Sequence, residues 1–420
     1  MKRHFGILVG FLLAWGSLAW SEPTEVRTWT ALSGHSLEAE CLKVEGGKAV
    51  FKKGNGKTVA VPLSKLIQDD QDFLAEHFQS NESGETQVVD APDAGTPADD
   101  LPYPLGKTTA EIPCDGDFSY FLYLPKSLVK GKKYPVLYIM SPGGGGGGTA
   151  KRYVAGAERN GWILAVSKQS KNGFNKSSDA ITNMMDHVQA SLPIDKERVY
   201  VTGFSGGSRM AYLISQRRKE VTGVIACGAG GKIGSRKQVV YGLCGSNCFN
   251  RTDMANAFKG VSHKGAVLRY FPGRHAWANG ELCEDAITHL NGVFLSDNKS
   301  DYAEDYERYR HALGELIEGS RENNPLRAYM WADFAHEYDF DDPRAKKAYD
   351  DLGSDEMNKL YVEGLAGIRK FAEKTFGQIS ASQWKADPKV SSACERESRK
   401  YEGTPWAEVL MKMSEDAQKF

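Results

Sequence analysis

The sequence predicts an α/β fold with a mostly parallel sheet, and three observations predict it. From about Glu111 to Leu295, strand-like runs alternate with helical stretches, the order that calls for a parallel sheet covered on both faces. One run, "ERVYVTG", passes through Gly203 to Gly207 into the helical pattern "SRMAYLISQR", so that Ser205 lies between glycines at the end of a strand. An earlier run, "YPVLYIM", ends in "SPGGGGGG". To this core the sequence adds a small β-rich module before it and a helical region after it.

The 420 residues carry a formal net charge of −1, with 41% hydrophobic and 25% charged residues. That balance fits globular protein with room for more than one domain, and bulk charge argues against a nucleic-acid partner. Residues 1–21 have a basic start (Lys2, Arg3), an apolar run from Phe5 to Leu18 and small residues near Ala19 and Ser21, the layout of a secretory signal peptide. A membrane-spanning anchor is the alternative, disfavoured because the run is shorter than the roughly 20 residues a span needs. The expectation is a secreted or periplasmic protein without a stable membrane anchor after cleavage. Seven cysteines in an exported chain permit disulfides, but their spacing gives little support for a zinc site, so no metal is expected.

Residues 25–78 read as hairpins closed by a helix. Alternation in "SLEAECLKV", "KAVFKK" and "KTVAVPL" suggests half-buried strands, joined by the glycine turns "EGGK" and "GNGK". "RTWT", these turns, and "VPLSKL" followed by "DDQDFL" resemble the Sla-type homology domain, a small barrel-like module. The resemblance implies a binding or tethering unit, directed at another protein or a surface; simple packing against the rest of the chain is the other reading. Residues 79–110, rich in Pro, Gly, Ser, Thr and acidic residues, read as a flexible linker.

In the core segment, 111–295, "FSYFLYLP", "YPVLYIM", "GWILAVS", "ERVYVTG", "VTGVIAC", "KQVVYGL" and "AVLRYF" are the predicted strands. "SDAITNMMDHVQASL" and "GGSRMAYLISQRRKE" are predicted helices, with Ile181, Met184, Met185 and Val188 on a core-facing stripe. Beyond Ser296, residues 296–420 combine dense charge with apolar residues at helical spacing and carry no chemistry of their own. Tyr302, Tyr306 and Tyr309 read as core in that region, with a contact surface as the alternative.

A Gly-x-Ser-x-Gly match alone is weak, since 44 glycines in 420 residues make a chance occurrence roughly a one-in-three event. Its setting between strand and helix points to a nucleophile elbow, in which the helix N-terminus faces a developing oxyanion. A phosphate loop would need a Lys-Ser/Thr pair that "GFSGGSRM" lacks. Gly206, with Gly143 or Gly144 from the glycine loop, are the expected oxyanion donors. The base is expected at His275, which follows "AVLRYF" through a Pro-Gly turn; histidine side chains titrate near neutral pH. His263 precedes that strand and His289 lies inside an apparent helix, so both are poorer candidates.

With "VYVTGFSGGSRMAY" and "FPGRHAW" in place, the core segment resembles the α/β-hydrolases, in particular the secreted polyhydroxybutyrate depolymerase and feruloyl or acetylxylan esterase group. The resemblance implies hydrolysis of small or polymer-linked carboxylic esters through an acyl-serine, without a cofactor, with Ser205 as nucleophile and His275 as base. Two departures stand out. The glycine loop opens Ser141-Pro142-Gly143 where relatives have His-Gly. Where they place an acid after the penultimate strand, "GSNCFNRTD" has Asn247 and Cys248. Three readings follow: Asp253 supplies the acid from slightly later, Asn247 orients the imidazole, or the site is inactive and the chain is a carbohydrate- or polymer-binding protein on a hydrolase scaffold. Asp253 could instead cap the helix "MANAFKG". Proximity in the expected fold also suggests a Cys244–Cys248 or Cys248–Cys283 disulfide.

Overall fold

The structure is a computed structural model, and it describes residues 26–30, 36–45, 47–66, 74, 101–377 and 387–418. The predicted signal peptide and most of the predicted linker lie outside the described residues. The chain divides into two compact units, residues 1–89 and 90–420. Among the described residues no helix is long and apolar enough to cross a membrane.

The first unit contains a four-stranded antiparallel sheet, β1 (Arg27–Thr30), β2 (Ser36–Glu45), β3 (Lys48–Lys53) and β4 (Thr58–Pro62), paired in chain order. Alternation in β3 turns Ala49 and Phe51 inward, where they meet Trp29, Ala39, Cys41, Leu66 and Leu74. The indole of Trp29 packs 4.8 Å from Phe51 and donates to the Ala39 carbonyl at 2.8 Å, so its one polar atom is satisfied inside the core.

The second unit is built on an eight-stranded sheet. Its strands are β5 (Ile112–Cys114), β6 (Phe118–Tyr123), β7 (Tyr134–Met140), β8 (Ile163–Ser167), β9 (Ile194–Phe204), β10 (Val221–Cys227), β11 (Val239–Gly245) and β12 (Val267–Phe271). They lie in the order β12-β11-β10-β9-β7-β8-β6-β5. All neighbours from β8 to β12 pair in parallel, while β6 runs antiparallel to both β5 and β8. Parallel strands need covered faces, and β7, β8 and β11 are accordingly buried at every position.

Helices α1 (Lys151–Asn160), α2 (Ser177–Ser191), α3 (Gly206–Arg217), α4 (Arg251–Lys259) and α5 (Gly280–Asp297) connect or follow these strands. Side-chain alternation shows that both faces are covered. Tyr138 of β7 pairs in register with Val201 of β9, and its hydroxyl donates to Met185 of α2. The next residue of β9, Thr202, points the other way and meets the Tyr153 hydroxyl of α1 at 2.9 Å. The exchanged order of β7 and β8, the antiparallel β6 and the turn after β9 define an α/β-hydrolase sheet.

The helical region belongs to the same core. Helix α5 runs through the predicted boundary at 295–296. It is followed by α6 (Ala303–Ser320), α7 (Pro325–Glu337), α8 (Pro343–Leu352), α9 (Glu356–Thr375), α10 (Pro388–Ser398) and α11 (Pro405–Ala417). Tyr306, Tyr309, Trp331, Phe334, Val409 and Met413 join the hydrophobic cluster that contains the sheet. Asp285 of α5, fully buried, binds Arg269 of β12 at 2.7 Å, Arg327 of α7 at 2.6 Å and the Trp331 indole at 3.2 Å. Arg269 also donates to the Tyr361 hydroxyl of α9 at 2.7 Å. One carboxylate thus ties two helices to the last strand and, through Arg269, a third.

His289 of α5 lies against this region, its Nε2 2.7 Å from the Gly265 carbonyl, and burial pushes its pKa down to about 4. Unfolding restores the ordinary value near 6.5, so the unfolded chain binds the extra proton first as pH falls. Stability is therefore complete above about pH 6.5 and declines toward pH 4, by roughly 3 kcal/mol from this group. Denaturant titrations at about pH 5 and pH 7 should show the decline, and His289→Gln should flatten it.

Candidate active site

Ser205 occupies the turn between β9 and α3 with φ 51° and ψ −114°, a backbone conformation that L-residues rarely adopt. Two contacts force it. A Cβ at Gly203 would fall 2.4 Å from the Gly207 backbone, and a Cβ at Gly207 would fall 2.2 Å from the Met140 carbonyl oxygen. Glycine at both positions lets the turn close, and the Ser205 N–H donates to the Cys227 carbonyl at 2.9 Å.

The Ser205 hydroxyl stands 2.8 Å from Nε2 of His275. Phe204 and Phe249 flank the imidazole at centroid distances of 4.6 Å and 4.0 Å. Phe204 is buried, whereas Phe249 is 63% exposed and forms an apolar rim. Trp277 packs beside Phe204 at 5.4 Å, with Arg152 4.6 Å from its ring centroid.

The second ring nitrogen meets the residue that stands where relatives place the acid, and neither Asp253 nor Asn247. Nδ1 of His275 faces the sulfur of Cys248 at 3.1 Å. Asp253 does not supply the acid, because α4 begins at Arg251 and carries Asp253 in its first turn, where the carboxylate pairs with Arg209 at 2.6 Å. Nor does Asp253 cap the helix, since the cap position is Asn250. Asn247 also turns elsewhere: its amide donates to the Lys412 carbonyl at 3.2 Å, and its side-chain oxygen accepts from Ser246 at 2.8 Å. The loop places Cys248 through backbone bonds from Ser246 N–H to Phe271 and from Asn247 N–H to Gly273, which lash it to the segment leading to His275. Cys244, Cys248 and Cys283 are free cysteines, so neither expected disulfide is present.

Asp253→Asn should therefore leave turnover within about threefold of the natural chain, because it breaks only an exposed ion pair. Steady-state kinetics on a chromogenic ester would check this; a loss of several orders of magnitude would restore Asp253 to the site.

Accounting for backbone donors separates the two glycines of the loop after β7 that are expected to serve an oxyanion. Ser141 N–H goes to the Ser170 hydroxyl, Gly144 N–H to the Ser141 carbonyl at 3.1 Å, Gly145 N–H to Ser167 and Gly146 N–H to the Thr149 hydroxyl. The N–H of Gly144 is thus spent inside the loop, so Gly144 is not an oxyanion donor. Gly143 has open space where a Cβ would stand, and Gly206 begins α3 beside the side chain of Asn172. The sequence reading did not single out Asn172, whose proximity depends on a bond from its N–H to the Pro142 carbonyl at 2.8 Å. Among the described residues no group of three or more His, Cys, Asp or Glu is placed to hold a metal ion.

Comparison with known proteins adds two findings. The SLA1 homology domain 1 family (SHD1) matches residues 19–82. No curated protein matches the chain in sequence. Similar solved structures include the substrate-bound, fluorophosphonate-binding serine hydrolase F of Staphylococcus aureus, at 13% identity, with 45% of this chain and 99% of that chain covered and a TM-score of 0.38. A ferulic acid esterase is 16% identical over 44% of this chain and 98% of its own, with a TM-score of 0.36. A hyperthermophilic esterase from the archaeon Pyrobaculum calidifontis is 13% identical over 45% of this chain and 87% of its own, with a TM-score of 0.37.

Proposed function

We propose that this protein hydrolyses carboxylic esters through an acyl-serine intermediate. The observation that carries this reading is the strained Ser205 with its hydroxyl 2.8 Å from Nε2 of His275. The Ser205 oxygen attacks the ester carbonyl while its proton passes to Nε2. The carbonyl electrons move onto oxygen, for which we assign the N–H groups of Gly206 and Gly143 as donors. Collapse of this intermediate breaks the bond to the alkoxide, which takes the proton back from Nε2 and leaves as the alcohol. Water then repeats the sequence on the acyl-serine, releasing the acid and restoring Ser205.

The substrate class we favour is an ester of a polymer or polysaccharide-linked acyl group, met after export by the predicted signal peptide. The exposed Phe249 beside His275 suits a site reached from an extended chain. The SHD1 unit would then serve as a tether to another protein or surface. A second reading, a binding protein on a hydrolase scaffold, is favoured by one observation, the lack of a carboxylate at Nδ1. Fluorophosphonate treatment followed by peptide mapping separates the two: label on Ser205 supports hydrolysis, and folded protein without label rejects it.

A further inference from the structure

We infer that Cys248 takes the place of the triad carboxylate: as a thiolate, its sulfur accepts the Nδ1–H of His275 and so keeps the Nε2 lone pair directed at Ser205. The catalytic consequence rests on the ester-hydrolase reading above; the protonation state of Cys248 does not.

The geometry requires an acceptor at this point. For Nε2 to receive the serine proton, the resting imidazole must carry its own proton on Nδ1, and that proton needs a partner. The partner in place is the Cys248 sulfur at 3.1 Å. A neutral thiol donating to Nδ1 would have the opposite effect, because it would drive the ring proton to Nε2 and remove the base. A neutral thiol turned to the Gly228 carbonyl, 3.8 Å away, would also leave the sulfur free to accept; only an anionic sulfur stabilises in addition the imidazolium formed as Ser205 attacks.

The surroundings favour the anion. Cys248 is held below the ordinary thiol range, first by a hydrogen bond from the Cys244 side chain, then by the hydrogen bond and charge of His275 and the N–H of Asn250, against the cost of burial. Cys244 is pushed the other way, chiefly by burial, and so keeps its proton, which the Gly245 carbonyl at 3.6 Å can also accept. Other titratable or charged groups around the pair are Cys227 at the end of β10 and Tyr270 of β12, beside Cys244, both pushed well up by burial, and Arg251 of α4, which pairs with Asp416 of α11 at 2.6 Å. The Arg209–Asp253 pair lies beyond Asn250. No carboxylate among these contacts His275.

Cys248 is on this account a positioning residue, and the test combines activity with a direct measurement of the thiolate. The ultraviolet thiolate absorbance of the full chain minus that of Cys248→Ser should show one thiolate at neutral pH. Cys248→Ala should lower kcat by about 10³-fold, while Cys248→Asp should recover at least a tenth of the natural rate. Cys244→Ala, which removes the donor but leaves the triad in place, should move the acid limb of the pH–rate profile upward.

Absence of the thiolate signal overturns the proposal, and so does Cys248→Ala with kcat within threefold of the natural chain. A folded Cys248→Asp as slow as Cys248→Ala also counts against it. If Cys248→Asp fails to fold, the absorbance and the Cys244→Ala profile decide. A chain that labels on Ser205 but lacks the thiolate rejects this inference alone; a chain with the thiolate but neither label nor turnover rejects the ester-hydrolase reading alone.

Discussion

Replacing Ser205 with alanine should lower kcat by about 10⁶-fold, close to 8 kcal/mol of barrier, without unfolding the protein. The size follows from the loss of the covalent route: among the described residues no other hydroxyl is recorded in hydrogen-bond contact with Nε2 of His275. Some acceleration over water should persist, since the N–H groups of Gly206 and Gly143 are untouched. Ser205→Gly makes the comparison sharper. The site pays for its positive φ of 51° with about 1–3 kcal/mol of backbone strain, which glycine relieves. The glycine variant should be as inactive as the alanine variant yet more stable than the natural chain, as read by activity and denaturant midpoint together. A midpoint at or below the natural one would show that the turn is not strained.

Asp285→Ala should destabilise the second unit by about 3–5 kcal/mol. Removing this carboxylate leaves the guanidinium groups of Arg269 and Arg327 buried with one fewer anion, and the Trp331 indole loses its acceptor. Arg327 keeps Glu284 at 2.9 Å and Arg269 keeps Tyr361, so the loss is large without being total. Because these side chains link β12 and α5 to α7 and α9, the helices should loosen together with the last strand. Urea titration, or hydrogen exchange at β12 and α9, would register the change. A midpoint shift worth less than about 1 kcal/mol would mean that the helices are held by apolar packing alone.

How far the sequence revealed this depended on how local each feature is. The strands from β6 to β12 were legible because their apolar runs are bounded by turns, and Ser205 was legible because its glycines act within five residues. The third position was legible only as a place: Cys248 stands where relatives put the acid, but that its sulfur meets Nδ1 depends on a loop path fixed by bonds from Ser246 and Asn247 to Phe271 and Gly273. A search by chemical type goes to the nearest carboxylate, Asp253, and an extra two residues of α4 turn that side chain toward Arg209. Gly143 and Gly144 are equivalent in sequence; only the bond from Gly144 N–H to Ser141 tells them apart. The helical region looked separable because its charge pattern changes at Ser296, whereas the buried contacts of Asp285 show that it completes the core.

The glycines beside Ser205 have a consequence for how the site keeps its dimensions. Met140, whose carbonyl oxygen lies 2.2 Å from where a Cβ of Gly207 would stand and 2.7 Å from that of Gly203, immediately precedes the loop that carries Gly143. The nucleophile and the loop opposite it are therefore spaced by the thickness of main chain against main chain, a ruler with no side chain in it. Rotamer changes and substitutions among buried side chains elsewhere cannot lengthen such a spacer. Tolerance to sequence change should thus be wide around the rim and close to zero at two residues that take no part in the chemistry.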